Sequence, residues 1–233
     1  MTRALIDGDI IVYRAACSAN GDPEYIALSR ADKMLHDILL ETGVDSYALY
    51  LTGSNNFRRE LTATYKASRP TEKPTHWQAV RDYLVRSFGA QIIDGKEADD
   101  EMGISQDKHS DTTIICSIDK DLKQVPGKHY NFVKKEWDMV TKSAGYRFLF
   151  YQAIVGDASD NIKGITGMGP VKANAYLNTF CSMDYYEAVR MLYGDDDRYH
   201  MNLSLLYIWQ QEDDSWERFV VRVTPPENTD DET

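Results

Sequence analysis

The sequence predicts an α/β fold with a mainly parallel central sheet, followed by a helical unit. Three observations carry this. Short apolar runs suited to buried strands recur at residues 4–9, 47–51, 90–93 and 112–117. Helical spacing of apolar residues falls between them, at 26–41, 77–87 and 97–107, and from Lys142 onward the pattern is helical only. Alternating strands and helices favour parallel pairing, and a run of helices after them marks a second unit. The expected division is an α/β domain over 1–144, a helical region over 145–224 and an acidic tail over 225–233.

Taken in order, Ala4-Leu-Ile-Asp-Gly-Asp9 reads as a buried strand ending in acids. Ile26, Ala27, Met34, Leu35, Ile38 and Leu39 then line one helix face. Residues 62–88 form a basic, proline-containing stretch that reads as a mobile excursion leading into the 77–87 helix. Beyond the sheet, helices are expected at 146–155, 171–178, 183–192 and 201–211, with a glycine-punctuated turn at 164–170. Residues after Thr224 have the composition of a disordered tail.

With 233 residues and 42% hydrophobic content the chain can bury a sizeable core. No apolar run reaches the roughly 18 residues of a membrane span, and Asp7 and Asp9 interrupt the first apolar stretch, unlike a signal peptide. A soluble, cytoplasmic protein without a membrane partner is expected. Cys17, Cys116 and Cys181 are odd in number and widely spaced, which argues against a disulfide frame or a zinc site and for buried thiols. The net charge of -11 argues against a nucleic-acid binder when taken alone. Its distribution argues otherwise: from Phe57 to Arg86 there are seven basic residues against three acids, and from Gly194 onward eleven acids against three arginines. A solvated helix face and an acidic tail would give the same segregation.

Eight acids in four clusters stand out: Asp7; Glu97, Asp99 and Asp100; Asp119 and Asp121; Asp157 and Asp160. Most sit at or just after an apolar run. Gathered carboxylates repel one another unless a cation neutralises them or some stay protonated. Oxygen-only ligands favour Mg²⁺ or Mn²⁺ over zinc, and paired ions of this kind drive phosphodiester cleavage in many enzymes. Each cluster alone has an ordinary reading too, since acids in the first turn of a helix complement its dipole and a lone D-x-D is common. More specific is Gly156-Asp157…Asp160 followed by Gly164-Ile-Thr-Gly-Met-Gly-Pro170, a glycine hairpin opening a helix whose N–H groups can approach a phosphate. Neither Walker spacing nor G-x-G-x-x-G after a strand is present.

Leu5-Ile-Asp-Gly8, Phe57-Arg-Arg-Glu-Leu61, Tyr65-Lys-Ala-Ser-Arg69, Glu97-Ala-Asp-Asp100, Asp119-Lys-Asp-Leu122 and the 156–173 block occur in an order that resembles the structure-specific 5′ nuclease family. That family comprises phage 5′-3′ exonucleases, the nuclease domains of bacterial DNA polymerases, and flap endonucleases. The resemblance implies a PIN-like α/β domain followed by a helix-three-turn-helix module that binds duplex DNA, with K⁺ at the glycine hairpin. It implies that Asp7, Glu97 and Asp99 ligate one divalent ion, and that Asp100, Asp119, Asp121, Asp157 and Asp160 serve a second. By the same resemblance Lys66 and Arg69 contact the scissile phosphate and Tyr65 stacks on the terminal base. Gly164, Gly167, Gly169 and Lys172 would hold the duplex backbone. The implied activity is 5′-3′ exonuclease and flap endonuclease action at 5′ ends, nicks or flaps of DNA. An RNA primer as a further substrate, a monomeric state and a bacterial or phage-infected cell as the setting complete the expectation.

One departure stands out. The family places an aspartate after its second strand, where this chain has Leu51-Thr-Gly-Ser-Asn-Asn-Phe57; Asp9 or water would have to substitute. The stretch from Lys66 to Glu97 is also short for the helical arch through which some relatives thread a 5′ end. Two other functions stay open at this stage. One is a DNA-structure-binding module that has lost catalysis, and the other a phosphatase using Asp7-Gly-Asp9 as its D-x-D motif.

Overall fold

The computed structural model describes residues 1–223. β1 (Arg3–Asp7), β2 (Ser46–Asn56), β3 (Gln91–Gly95), β4 (Thr113–Cys116), β5 (Gly127–Asn131) and β6 (Glu136–Val140) make one sheet in the order β3-β2-β1-β4-β5-β6. Every neighbouring pair is parallel except β5 with β6. β1 and β4 lie at its centre and are buried on both faces, which is why Ala4-Leu-Ile and Ile114-Ile-Cys116 read as continuous apolar runs. From β1 the chain builds outward to β2 and β3, then crosses back to β4 on the other side. The carboxyl ends of β1 and β4 therefore flank a topological switch point, where open sheets of this type bind ligands.

α1 (Gly8–Ser18), α2 (Glu24–Thr42) and α4 (Trp77–Phe88) cover one face through Ile11, Val12, Leu35, Ile38, Val80 and Leu84. α5 (Ala98–Lys108) covers the other, packing Ala98 and Met102 on Leu5, Ala48 and Ile115. The short α3 (Phe57–Leu61) follows β2 directly. α6 (Lys142–Val155) leads into a two-stranded ribbon of β7 (Gly156–Asp157) and β8 (Ile162–Lys163). α7 (Pro170–Leu177), α8 (Tyr185–Tyr193), α9 (Asp196–Leu206) and α10 (Trp216–Val223) complete the helical unit. Its core is aromatic, built on Tyr146, Phe150, Tyr199, Tyr207 and Phe219.

The structure departs from the sequence-based expectations at identifiable points. The first strand stops at Asp7, whose carboxylate accepts from the Ile10 backbone N at 3.1 Å and caps α1, so Gly8 and Asp9 belong to a helix. A Cβ at Gly8 would lie 2.6 Å from the Tyr50 carbonyl, and only glycine lets α1 start this close to β2. The β5–β6 hairpin, α1 and α10 were not expected. A helix expected at 201–211 ends at Leu206, because the next residues are held extended by distant partners. Ile208 N donates to Gln124 Oε1 at 3.1 Å and Trp209 N to Asp100 Oδ1 at 3.0 Å. The boundary expected at 144/145 falls inside the first turns of α6. Of the three cysteines only Cys116 is buried. The tail expected at 225–233 lies outside the described residues.

Arg58 ties the two units together. Its guanidinium is 2% exposed and donates to both Asp100 oxygens at 2.6 and 2.8 Å, to the Leu205 carbonyl at 2.9 Å and to the Tyr207 carbonyl at 2.5 Å. Replacing Arg58 by Met would leave the Asp100 carboxylate buried without its cation, a loss of about 3–5 kcal/mol. Urea denaturation is expected to show that drop; a loss under about 1 kcal/mol would mean the pair is not closed in solution. Close packing of the 207–210 segment makes a second expectation, since a Cβ at Gly103 would sit 2.2 Å from the Trp209 carbonyl. Gly103→Ala should lower stability by about 1–3 kcal/mol in the same assay, and an unchanged midpoint would place that segment away from α5.

Candidate active site

Asp7 closes β1 and Ser117 follows β4, so the two central strands deliver their next residues to one place. Ser117 Oγ donates to Asp7 Oδ2 at 2.7 Å and accepts from the Asp119 backbone N at 3.0 Å. Asp119 Oδ1 then accepts from Asp121 N at 2.8 Å, which makes the D-x-D a tight turn into the 3-10 turn Asp121–Gln124. Glu97 stands at the start of α5, with Asp99 in its first turn. Asp157 and Asp160 come from the β7–β8 turn, where Asp157 Oδ1 accepts from Ser159 N at 2.8 Å and Asp160 N at 3.3 Å.

The charges reveal how close these acids are. Burial, and then the charge of Asp9, push Asp7 up to about 7. Burial followed by the charges of Asp7, Asp119 and Glu97 holds Asp99 well above the usual carboxylate range. Burial and Asp119 push Asp121 up to about 6. Glu97 goes the other way: burial opposes its ionisation, but the Arg58 and Lys66 charges outweigh it and bring it to about 2. Burial likewise opposes ionisation of Asp157, and bonds from Lys120 and Ser159 overcome it and keep it below the usual range.

Two lysines occupy the gaps between acids. Lys66 donates to Glu97 and lies 3.8 Å from Asp160. Lys120 donates to Asp121 at 3.0 Å and to Asp157 at 2.5 Å. Among the described residues no three His, Cys, Asp or Glu side chains are gathered in ligating geometry. The donor set is nonetheless of oxygen only, and burial together with neighbouring carboxylates raises Asp7, Asp99 and Asp121. Such a set fits a hard divalent cation.

Three expected roles are altered by the structure. Asp100 is fully buried and bonded to Arg58, to Trp209 N and to Glu97 N at 2.9 Å, so its oxygens organise α5 and the return segment. Tyr65 is 4% exposed, with its hydroxyl donating to Glu97 and Asp160 at 3.1 Å each, and offers no open face for a base. A Cβ at Gly164 would lie 2.3 Å from the Ile154 carbonyl, which makes this glycine a close-packing requirement of the ribbon. Gly167, at φ +78°, and Gly169 instead face open space, with Lys172 exposed on the first turn of α7. Arg69 donates to Asp160 and to the Ser159 carbonyl.

Sequence reasoning passed over Asn56. Asn56 caps α3 by accepting from Arg58 N at 2.9 Å and donates to Glu97 Oε1 at 2.6 Å; an Asn before Phe57-Arg is a visible capping signal, but nothing local announces the second bond. Asp9 Oδ2 accepts from Thr52 N at 2.9 Å, and Arg81 Nη1 lies 3.3 Å from Oδ1. A carboxylate from α1, one of the two substitutes the sequence offered, thus reaches Thr52 of β2, in the segment that lacks the family's aspartate. Tyr13, 38% exposed, lies edge-on to Trp77 at 6.3 Å between centroids.

Residues 2–148 match the family model of the 5′-3′ exonuclease N-terminal, resolvase-like domain. The chain is 28% identical over 211 residues to the 5′-3′ exonuclease of Mycoplasma genitalium, covering 77% of this chain and 72% of that protein. It is also 28% identical over 215 residues to DNA polymerase I of Chloroflexus aurantiacus, covering 77% of this chain but 22% of the polymerase, and so spans about a fifth of that relative's length. Among solved structures, the T5 5′-exonuclease with bound zinc ions superposes with a TM-score of 0.70 at 18% identity, covering 88% of this chain and 89% of the other. The catalytic core of Rad2 in complex with DNA gives 0.54 at 17% identity, covering 84% and 66%. At those identities the likeness is one of fold. The match over most of the α/β domain carries the assignment: the chain belongs to the 5′-3′ exonuclease family through its N-terminal resolvase-like domain.

Proposed function

We propose that this chain is a divalent-metal-dependent 5′-3′ exonuclease and flap endonuclease, hydrolysing phosphodiesters near the 5′ ends of duplex or flapped DNA. The carrying observation is the juxtaposition of Lys66 with Glu97 and Asp160 at the switch point of the sheet, a cation for phosphate among oxygen donors for metal. Asp7, Glu97 and Asp99 would hold one ion, with Asp9 supplying the carboxylate that β2 lacks, and Asp119, Asp121, Asp157 and Asp160 would hold the other. Mg²⁺ or Mn²⁺ suits the donors, with K⁺ at the glycine hairpin. When bound, such ions supply an activated water and neutralise charge gathering on the phosphate.

The chain's own groups do the rest. Lys66 and Arg69 donate to the scissile phosphate where negative charge develops. Gly167, Gly169 and Lys172 present the N-terminus of α7 to the duplex backbone. RNA primers as substrates, a monomeric state, and action in replication and repair in the cytoplasm of a bacterial or phage-infected cell belong to the same proposal.

Labelled flap, nicked and blunt duplexes incubated with Mg²⁺ test it. Asp121→Ala is expected to abolish cleavage while leaving DNA binding intact, and full activity in the variant would remove the ligand assignment. Lys66→Ala should lower kcat by about 10²-fold with little change in affinity. A loss carried by affinity alone would make Lys66 a binding residue.

Stability against pH provides a test without turnover. Asp7 and Asp121 keep their protons up to about 7 and about 6 in the folded metal-free chain, against 3.8 ordinarily. The unfolded chain has then released protons that the folded chain still binds, so their contribution falls as pH rises from about 4 to about 7. Glu97, at about 2 against 4.5, contributes above about 4.5 and loses that contribution as pH falls toward 2. Thermal unfolding in chelator and in Mg²⁺ should show a metal-induced rise in Tm that grows between about pH 5 and about pH 8. A rise of equal size at every pH would mean that the carboxylates are not the binding groups.

A further inference from the structure

Asp121 is bonded to a line of buried amides. Gln152, 3% exposed on α6, donates through Nε2 to Asp121 Oδ1 at 2.7 Å. Its Oε1 accepts from Gln124 Nε2 at 2.8 Å, and Gln124 is 1% exposed in the 3-10 turn that Asp121 opens. Gln124 Nε2 also donates to the Leu206 carbonyl at 2.7 Å, while its Oε1 accepts from Ile208 N at 3.1 Å. The line thus runs from the 206–208 segment of the helical unit, through Gln124 and Gln152, to the carboxylate. Gln152 interrupts the buried face of α6 between Leu149, Phe150, Ala153 and Ile154, where a polar side chain is costly unless its bonds are made.

The polarity of this line is set by backbone. A peptide N–H only donates and a peptide carbonyl only accepts, so Ile208 N and Leu206 O together allow one orientation of the Gln124 amide. Gln124 then presents an N–H to Gln152, which must turn its carbonyl toward that donor and its own NH2 toward Asp121. Lys120 also donates to Asp121 Oδ1, at 3.0 Å, but from a side chain that is 62% exposed. Gln152 is the donor that burial holds in place.

We propose that Gln152 is a positioning residue for the divalent ion at Asp121, orienting that carboxylate with a polarity imposed by the 206–208 segment through Gln124. This rests on the nuclease reading, in which Asp121 is a metal ligand. Hydrogen bonds of this outer kind hold a ligating carboxylate in register, and their loss typically lowers metal affinity about 10–100-fold.

Calorimetric titration of the full chain with Mg²⁺ tests the proposal in Gln152→Met, which nearly keeps the side-chain volume and removes both amide bonds. Its Mg²⁺ affinity is expected about 10–100-fold below that of the parent, with cleavage of flap DNA recovering as Mg²⁺ is raised. Equal affinity in the two proteins would overturn the positioning role and leave the nuclease reading standing. Should Gln152→Met not fold, Gln152→Asn, one methylene too short to span Gln124 and Asp121, carries the same expectation. In the unaltered protein the Gln152 side-chain amide protons should exchange slowly with solvent, and their NMR signals should move as Mg²⁺ is added. Rapid exchange, or signals indifferent to the ion while calorimetry shows binding, would also overturn it. A parent chain that neither binds Mg²⁺ nor cuts flap DNA would instead remove the nuclease reading, and the proposal with it.

Discussion

A single buried cation organises this molecule. A guanidinium without water is costly to hold, and it persists only where its donors are matched by acceptors in good geometry. Arg58 meets that condition with two Asp100 oxygens and the carbonyls of Leu205 and Tyr207. Because Asp100 also accepts from Glu97 N and Trp209 N, the same cluster sets the start of α5 and docks the return segment of the helical unit. Glu97 is thereby placed in the field of Arg58, which helps keep it ionised despite burial. The α/β domain and the helical unit share one electrostatic joint, and the site lies beside it.

The acids around that joint divide by their neighbours. Glu97 and Asp157 have lysines within bonding distance and hold their charge easily. Burial and neighbouring carboxylates make Asp7, Asp99 and Asp121 hold protons to unusually high pH, Asp121 despite its bond from Lys120. Identical side chains thus have opposite tendencies for reasons of position alone. Lys66 and Lys120 partly compensate the repulsion, and a divalent ion would compete with them for the same oxygens.

The basic segment between β2 and β3 is less of a surface patch than its composition suggests. Arg58 and Arg81 are buried and hold Asp100 and Asp9. Lys66 and Arg69 bond to acids and Lys73 to the Tyr13 hydroxyl. Lys120 is exposed, and at the glycine hairpin Gly167, Gly169 and Lys172 lie open.

Local patterns in the sequence suffice for the central strands, for α2, α4 and α5, and for the acids at strand ends. Apolar runs and helical spacing report burial, and burial on both faces of β1 and β4 leaves a plain trace. The order of motifs likewise pointed to the family whose domain model the chain matches. What the chain could not announce locally was settled by contacts between distant segments. The end of α9 depends on Arg58, Gln124 and Asp100; the burial of Tyr65 depends on Glu97 and Asp160; Asp9 reaches β2 only because Gly8 lets α1 start against Tyr50. The same holds for Asp100, which reads as one more acid in Glu97-Ala-Asp-Asp100 and proves to be the partner of Arg58. A carboxylate's role follows from the charge it meets across the fold, and only the tertiary structure decides which charge that is.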